Sequence, residues 1–318
     1  MTWLIGIDEA GYGPNLGPLV MSAVACRVPD VIAEANLWKI LSNTVRRGGD
    51  TDDGRLLVDD SKVVYSTARG LQSLECGVHA VPGVYEQGDL DGWLATRCAG
   101  GHGDLCLEPW YRGDTALPAV TDAHILADAI ARFDDGCVAA GITEWLVRVA
   151  VVCPPRFNSL VDSSGSKGAV LAHALASLLR LIEAAAVGPD ALRFAIDKHG
   201  GRNCYAALIQ HGLERGMVAV LEEGMERSAY RVHGMGRETQ LLFQPRAEAE
   251  HFCVALASMV SKYVRELCMT EFNRFWRVRV PGLKPTAGYP TDATRFWQAI
   301  RPAAAKMGLT EAQLWRRK

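Results

Sequence analysis

The 318-residue chain has no run of eighteen uncharged apolar residues, no CxxC pair and almost no net charge. Each absence closes off a class of protein. Without a long apolar run, a membrane-spanning helix is not expected. The opening "MTWLIGIDEAG" meets acids at positions 8 and 9, too early for a secretory signal. These readings place the protein in the cytoplasm with no membrane partner. The nine cysteines are odd in number and widely scattered, which suits reduced, mostly buried thiols rather than a disulfide framework. A net charge of −2 and a pI near 6.5 supply no global positive field to draw in nucleic acid, so any basic groove must be local. Lys and Arg gather late, in "RFWRVRV" (residues 274–280) and "LWRRK" (314–318), either as a solvated face and polar tail or as a phosphate-contact surface.

What is present is ample apolar material, 49% of residues, for a packed core. "WLIGIDEA" and "LVMSAVACRV" read as two strands joined by a loop rich in Gly and Pro. Residues 31–41 have helical spacing. Residues 79–119 lose all period and read as a loop-rich insertion. Regularity returns with a helix over 121–133 whose expected N-cap is Thr121, a strand ending in "VVCPP", a buried helix over 166–188, and the strand "ALRFAIDKHGG". A long helix is expected over 247–272 and a last one over about 291–307. "DSSGSKGAV" lacks the GxxxxGK[ST] spacing and reads as a helix start, not a nucleotide loop.

The acids stand out against this background. Asp8 and Glu9 are adjacent at the end of an apolar strand, and Asp197 ends another. In open α/β sheets, strand ends converge on one cleft. On the long helix Glu266 falls within the apolar arc of Phe252, Leu256, Met259, Val260, Tyr263 and Leu267. Taken singly, each acid has a structural explanation: Glu266 an ion pair with Lys262 one turn earlier, Asp197 a turn or cap residue. Together, four carboxylates would repel one another unless hard divalent cations held them. An oxygen-only ligand set selects Mg²⁺ or Mn²⁺, and two such ions are the usual apparatus for cutting a phosphodiester.

Five motifs in order carry a resemblance to type 2 ribonucleases H (ribonuclease HII). "GIDEAGYGPNLGPLV" resembles that family's opening motif and "DDSKVVYS" its DSK segment. "RFAIDKHGG" resembles its third acidic strand, "ALASMVSKYVRE" its ASIxAKxxRD helix, and "AGYPTDATRFW" a GYPSDPxT stretch. The resemblance implies an α/β ribonuclease H-like fold: a mixed central sheet, three antiparallel strands followed by parallel ones, flanked by helices. It implies one catalytic domain over 1–318, with the loop-rich insertion at about 79–119 and a C-terminal helical extension at about 273–318. It implies that Asp8, Glu9, Asp197 and Glu266 hold two Mg²⁺ or Mn²⁺ ions, and that Gly11, Tyr12 and Gly13 read a ribose 2′-hydroxyl through the backbone. By the same likeness Tyr289 stacks on the sugar, and Lys62 and Lys262 contact phosphate. The implied activity is endonucleolytic hydrolysis of the RNA strand of RNA–DNA hybrids, or cutting 5′ of ribonucleotides embedded in duplex DNA, by a monomer. A nuclease of the same fold with another structured substrate, and a nucleic-acid-binding protein without catalysis, are the alternatives.

Two departures bear on that expectation. Tyr12 stands where the family has arginine, and Glu266 where it has aspartate. The insertion also holds Cys76, His79, Cys98, His102 and Cys106, potential donors to a structural zinc ion, although their spacing matches no standard finger and scattered buried thiols explain them as well.

Overall fold

A computed structural model describes residues 1–66, 68, 70–98 and 102–317. Seven strands form the central sheet: β1 (Thr2–Ala10), β2 (Leu19–Val28), β3 (Glu144–Val152), β4 (Ala191–Asp197), β5 (Met217–Glu223), β6 (Ser228–His233) and β7 (Thr239–Gln244). Their order across the sheet is β3-β2-β1-β4-β7-β6-β5. β1, β2 and β3 are antiparallel, β4 runs parallel to β1, and β7 runs parallel to β4. The expected mixed sheet of three antiparallel strands followed by parallel ones is therefore present. It is extended by the antiparallel strands β6 and β5 at the far edge.

Helices cover both faces. The principal ones are α1 (Gln72–His79), α2 (Ala123–Ala139), α3 (Pro154–Ser164), α4 (Gly168–Ala185), α5 (Phe252–Arg279) and α6 (Pro290–Lys306). β1 is buried on both faces, as a central strand must be. Leu4 leans toward the side covered by α5, whereas Trp3, Ile5 and Ile7 meet α4 residues such as Leu175, Leu178 and Ile182. By length and composition α4 is apolar enough to cross a bilayer, but Val170, Leu171, Ala174 and Leu179 on it are buried against the sheet, as in a core helix. Gly6 allows α5 to lie directly on β1. A Cβ there would stand 2.1 Å from both the Cys253 carbonyl carbon and the Val254 nitrogen.

Several boundaries differ from the sequence reading. The helix expected from Thr121 starts one residue later: its N-cap is Asp122, whose side chain accepts from the His124 N–H at 2.8 Å, while the Thr121 N–H donates to buried Glu75. Residues 31–41 break into a 3₁₀ turn (Asp30–Ile32) and a short helix (Leu37–Ile40), since the Asn36 side chain accepts from the Lys39 N–H and starts a new helix. α5 begins five residues later than expected and continues to Arg279, so the basic "RFWRVR" run is its last two turns.

The insertion contains short helices at Leu90–Ala95 and Gly103–Cys106. Two buried glutamates fasten it. Glu75 of α1 accepts from the N–H groups of Ala119, Val120 and Thr121 and from the Tyr263 hydroxyl. Glu271 of α5 accepts from the Arg112 and Gly113 N–H groups and the Thr115 hydroxyl. Buried carboxylates so fully satisfied are structural.

Candidate metal centre and nucleic-acid interface

Parallel pairing of β1 with β4 sets the site. Ile7 is in register with Ile196, so Asp8 and Asp197, the next residues, stand side by side where the pairing of the two strands stops. Asp8 is buried, with Oδ1 accepting from the Glu9 N–H at 2.7 Å, and the Ser261 hydroxyl of α5 donates to the Asp8 backbone carbonyl at 2.9 Å. Asp197 Oδ1 accepts from the Ala247 N–H at 3.1 Å, which fixes the 3₁₀ turn Ala247–Ala249 and carries Glu248 toward the same place.

These acids feel one another. Burial, then the charges of Glu9, Asp197 and Glu248, push the Asp8 carboxyl well above the carboxylate range. Burial and the charge of Asp197 raise Glu9 to about 7, and Glu9 Oε2 is buried with no hydrogen-bond partner. Burial raises Asp197 despite the N–H of Ala247, and burial raises Glu248 too. Oxygen-only donors that oppose one another's ionisation, one of them unsatisfied, fit a divalent cation by their chemistry, but among the described residues Asp8, Glu9 and Asp197 do not bring one oxygen each within 4.8 Å of the others. Glu248, in the "AEAE" run before α5, has no spacing signal in the sequence and was legible only once the turn was in place.

Glu266 is held differently. Its Oε2 accepts from the Tyr65 hydroxyl at 3.0 Å and its Oε1 from Lys262 Nζ at 2.5 Å, with Arg265 Nη1 3.6 Å from Oε1. Lys262 Nζ also lies 4.4 Å from the Tyr65 ring centroid. The ion pair with Lys262 is thus present, and it engages both the Glu266 and Lys262 side chains. Lys62 by contrast is 87% exposed, one residue after Ser61, which is bonded to Ser258 of α5, and its charge is felt by Glu9 and Asp197.

The glycine loop is braced from two directions. Gly11 has φ +89°, and a Cβ there would collide with Arg265 Nε at 2.5 Å. Arg265, buried to 1% exposure, donates to the Ala287 carbonyl, while the Asn15 and Leu16 N–H groups donate to the Gly288 carbonyl at 2.7 and 3.3 Å. Gly288 itself has φ +84°, and a Cβ on it would stand 2.5 Å from the Leu16 carbonyl oxygen. The loop and the "AGYP" turn therefore meet, and a Cβ at exposed Gly13 would stand 3.9 Å from the half-exposed Tyr289 ring. Tyr12 is close enough to Glu9 that burial and the Glu9 charge both raise its hydroxyl, and Lys167 Nζ lies 5.7 Å from its ring centroid.

The second brace comes from the C-terminal segment. Arg316, 1% exposed, donates to the Pro14 carbonyl, its N–H donates to the Asn15 carbonyl at 2.8 Å, and Asn15 Nδ2 returns a bond to the Arg316 carbonyl. At this position the basic tail is a buried prop and not a phosphate surface; Lys318 lies outside the described residues.

The acid cluster makes a testable demand on stability. Carboxyls whose folded-state pKa is raised are favourable to the fold while protonated, so their contribution is full below about pH 4 to 5 and is lost as pH rises through the folded values. Buried neutral His79 and His199, lowered by burial to about 4 and about 3, impose the opposite slope only below about pH 6.5. Without divalent cations, the melting temperature is expected to fall between about pH 6.5 and 8.5, and added Mg²⁺ or Mn²⁺ to flatten that fall. A melting temperature that holds or rises across this window in chelator would contradict the cluster.

No protein-family model matches the chain, and no curated protein does. Solved structures are similar to it. The ribonuclease H2 of Pyrococcus horikoshii OT3 shares 13% identity over 98% of this chain and 92% of its own, with a TM-score of 0.46. The structure of the PCNA:RNase HII complex from Archaeoglobus fulgidus matches at 15% identity, covering 99% of this chain and 94% of that one, with a TM-score of 0.42. A Bst-RNase HIII in complex with Mn²⁺ matches at 17% identity over 99% of this chain and 66% of its own, with a TM-score of 0.42.

Proposed function

We propose that the protein is a metal-dependent endoribonuclease acting on RNA–DNA hybrids or on ribonucleotides embedded in duplex DNA. One observation carries the reading: buried Asp8 and half-buried Glu9 and Asp197 oppose one another's ionisation where the parallel strands β1 and β4 stop pairing, beside a glycine loop that lies near the Tyr289 ring. Asp8, Glu9 and Asp197 would hold Mg²⁺ or Mn²⁺, with Glu248 on one flank and Glu266 on the helix. Bound there, such ions supply an activated water and stabilise the leaving oxygen of a phosphodiester.

The remaining roles belong to the chain. Gly11 and Gly13 keep the loop free of side chains, so that backbone groups can approach a 2′-hydroxyl. Tyr289 offers an exposed ring for a sugar or base. Lys62 is the cation placed to meet a phosphate, whereas Lys262 serves to position Glu266. Where the family has an arginine beside the loop, Tyr12 with Lys167 over its ring returns positive charge to the same region.

The test offers the protein, with Mg²⁺ or Mn²⁺, a duplex bearing one ribonucleotide, a full RNA–DNA hybrid, and all-DNA and all-RNA duplexes. Cleavage 5′ of the single ribonucleotide and along the hybrid is expected. Tyr289→Ala is expected to lower kcat/KM on the single-ribonucleotide duplex by about tenfold, the loss of one stacking contact of about 1–3 kcal/mol. Cutting confined to another structured nucleic acid would transfer the chemistry to that substrate. Tight binding with no cutting of any duplex would refute the nuclease reading.

A further inference from the structure

The five cysteine and histidine residues singled out as zinc donors do not converge. Cys76 Sγ faces the Thr121 hydroxyl at 4.0 Å, and His79 Nε2 meets the Tyr263 hydroxyl at 3.1 Å, both within the packing of α1 on α5. His102 and Cys106 lie elsewhere. They are four residues apart, as N-cap and last residue of the short helix Gly103–Cys106, a spacing that puts two side chains on one face. Opposite them stands Asp91 of the helix Leu90–Ala95, which no sequence pattern had suggested.

Asp91 Oδ1 is 2.7 Å from His102 Nε2 and 3.9 Å from Cys106 Sγ, and one donor atom from each of the three residues lies within 4.8 Å of the others. Bonds of about 2.0–2.3 Å in a tetrahedral array put donors about 3.3–3.8 Å apart, so the Asp91–His102 hydrogen bond opens and the remaining donors, already within 4.8 Å of one another, draw in to admit an ion. The Tyr111 hydroxyl donates to Asp91 Oδ1 at 3.3 Å, the kind of outer contact that orients a ligating carboxylate. His102 Nδ1 is buried without a hydrogen-bond partner. Among the described residues no other group of three such donors comes as close.

We propose that Asp91, His102 and Cys106 form a zinc-binding site within the insertion. One oxygen, one imidazole nitrogen and one thiolate suit zinc, and they disfavour the hard Mg²⁺ or Mn²⁺ assigned to the carboxylates. Ligation joins the helix Gly103–Cys106 to the helix Leu90–Ala95 on the outer side of the core residues Leu90, Trp93, Leu94 and Leu105. The thiol proton of Cys106 is released to solvent on binding, and no redox change is involved.

Cobalt(II) reads this site separately from the acid cluster, because only a thiolate ligand gives a sulfur-to-cobalt charge-transfer band in the near ultraviolet. The full-length protein is expected to develop that band to saturation at one equivalent of cobalt, and zinc to abolish it. Cys106→Ser, at an exposed position where the fold is retained, removes the band. His102→Ala and Asp91→Asn each weaken cobalt binding at least tenfold. Asp8→Asn leaves the band unchanged whether or not the protein cuts nucleic acid. A wild-type protein without the band, or the same band in Cys106→Ser, overturns the site.

Discussion

Asp8→Asn is expected to abolish cleavage and, in the same molecule, to raise the melting temperature of the metal-free protein. The two effects share one cause. Asp8 is buried among Glu9, Asp197 and Glu248, whose charges oppose its ionisation. As pH rises and the cluster gains charge, a neutral amide removes that repulsion while its oxygen still accepts from the Glu9 N–H. A gain on the order of 1 kcal/mol, a degree or more in melting temperature, should grow with pH. The same change withdraws a charged oxygen from ions that supply several kcal/mol of transition-state stabilisation, so the rate should fall by at least about 10³. Asp197→Asn should behave alike in rate. Calorimetry in chelator and single-turnover cleavage in Mg²⁺ measure the two halves. A variant that loses both stability and activity would mean that Asp8 is a structural acid.

The second large effect concerns the anchoring of the insertion. Glu75→Ala strands three backbone donors at once, the N–H groups of Ala119, Val120 and Thr121, and leaves the Tyr263 hydroxyl with His79 Nε2 alone. At about 1–3 kcal/mol for each buried donor left unmade, and with some regaining water, a loss of roughly 4 kcal/mol is expected. Urea unfolding measures it as a lowered midpoint. Glu75→Gln, which keeps an acceptor oxygen but points N–H groups at other N–H groups, should fall between. Although burial opposes its charge, the bonds from Tyr263 and Thr121 lead those that hold the Glu75 carboxyl below its ordinary range. Its stabilisation is therefore present above about pH 4.3 and is lost as pH falls through the folded value, so the alanine variant should show a shallower acid transition than the native protein. A midpoint unchanged within about 0.5 kcal/mol would show that the insertion is held elsewhere.

Which parts of this were legible in the sequence follows from how local the causes are. β1, β2 and β4 announce themselves by apolar runs, those of β1 and β4 leading into acids, and the register of β1 with β4 needs only that Ile7 and Ile196 both face inward. That Asp8 and Asp197 lie side by side was legible for the same reason: each follows an apolar run, and the parallel pairing of β1 with β4 sets the two runs next to each other. The start of α5 was not, because it depends on Asp197 capturing the Ala247 N–H across fifty residues, and that capture also delivers Glu248. The N-cap at Asp122 was not, because Thr and Asp both cap helices and local preference does not separate neighbours such as Thr121 and Asp122. Zinc donors were sought by spacing alone, which offered Cys76 and His79 and passed over Asp91, since a contact between separate helices leaves no periodic trace.

Arg316 and Asn15 exchange bonds across 301 residues of chain, and the loop they brace follows directly on the first two acids. The strands bearing Asp8 and Asp197 can pair as soon as both have been synthesised, but the nearby backbone keeps its shape only once the far end has docked. A change at either partner, Asn15 or Arg316, is therefore felt at the backbone just beyond the first two acids, although one of the two stands at the opposite end of the chain.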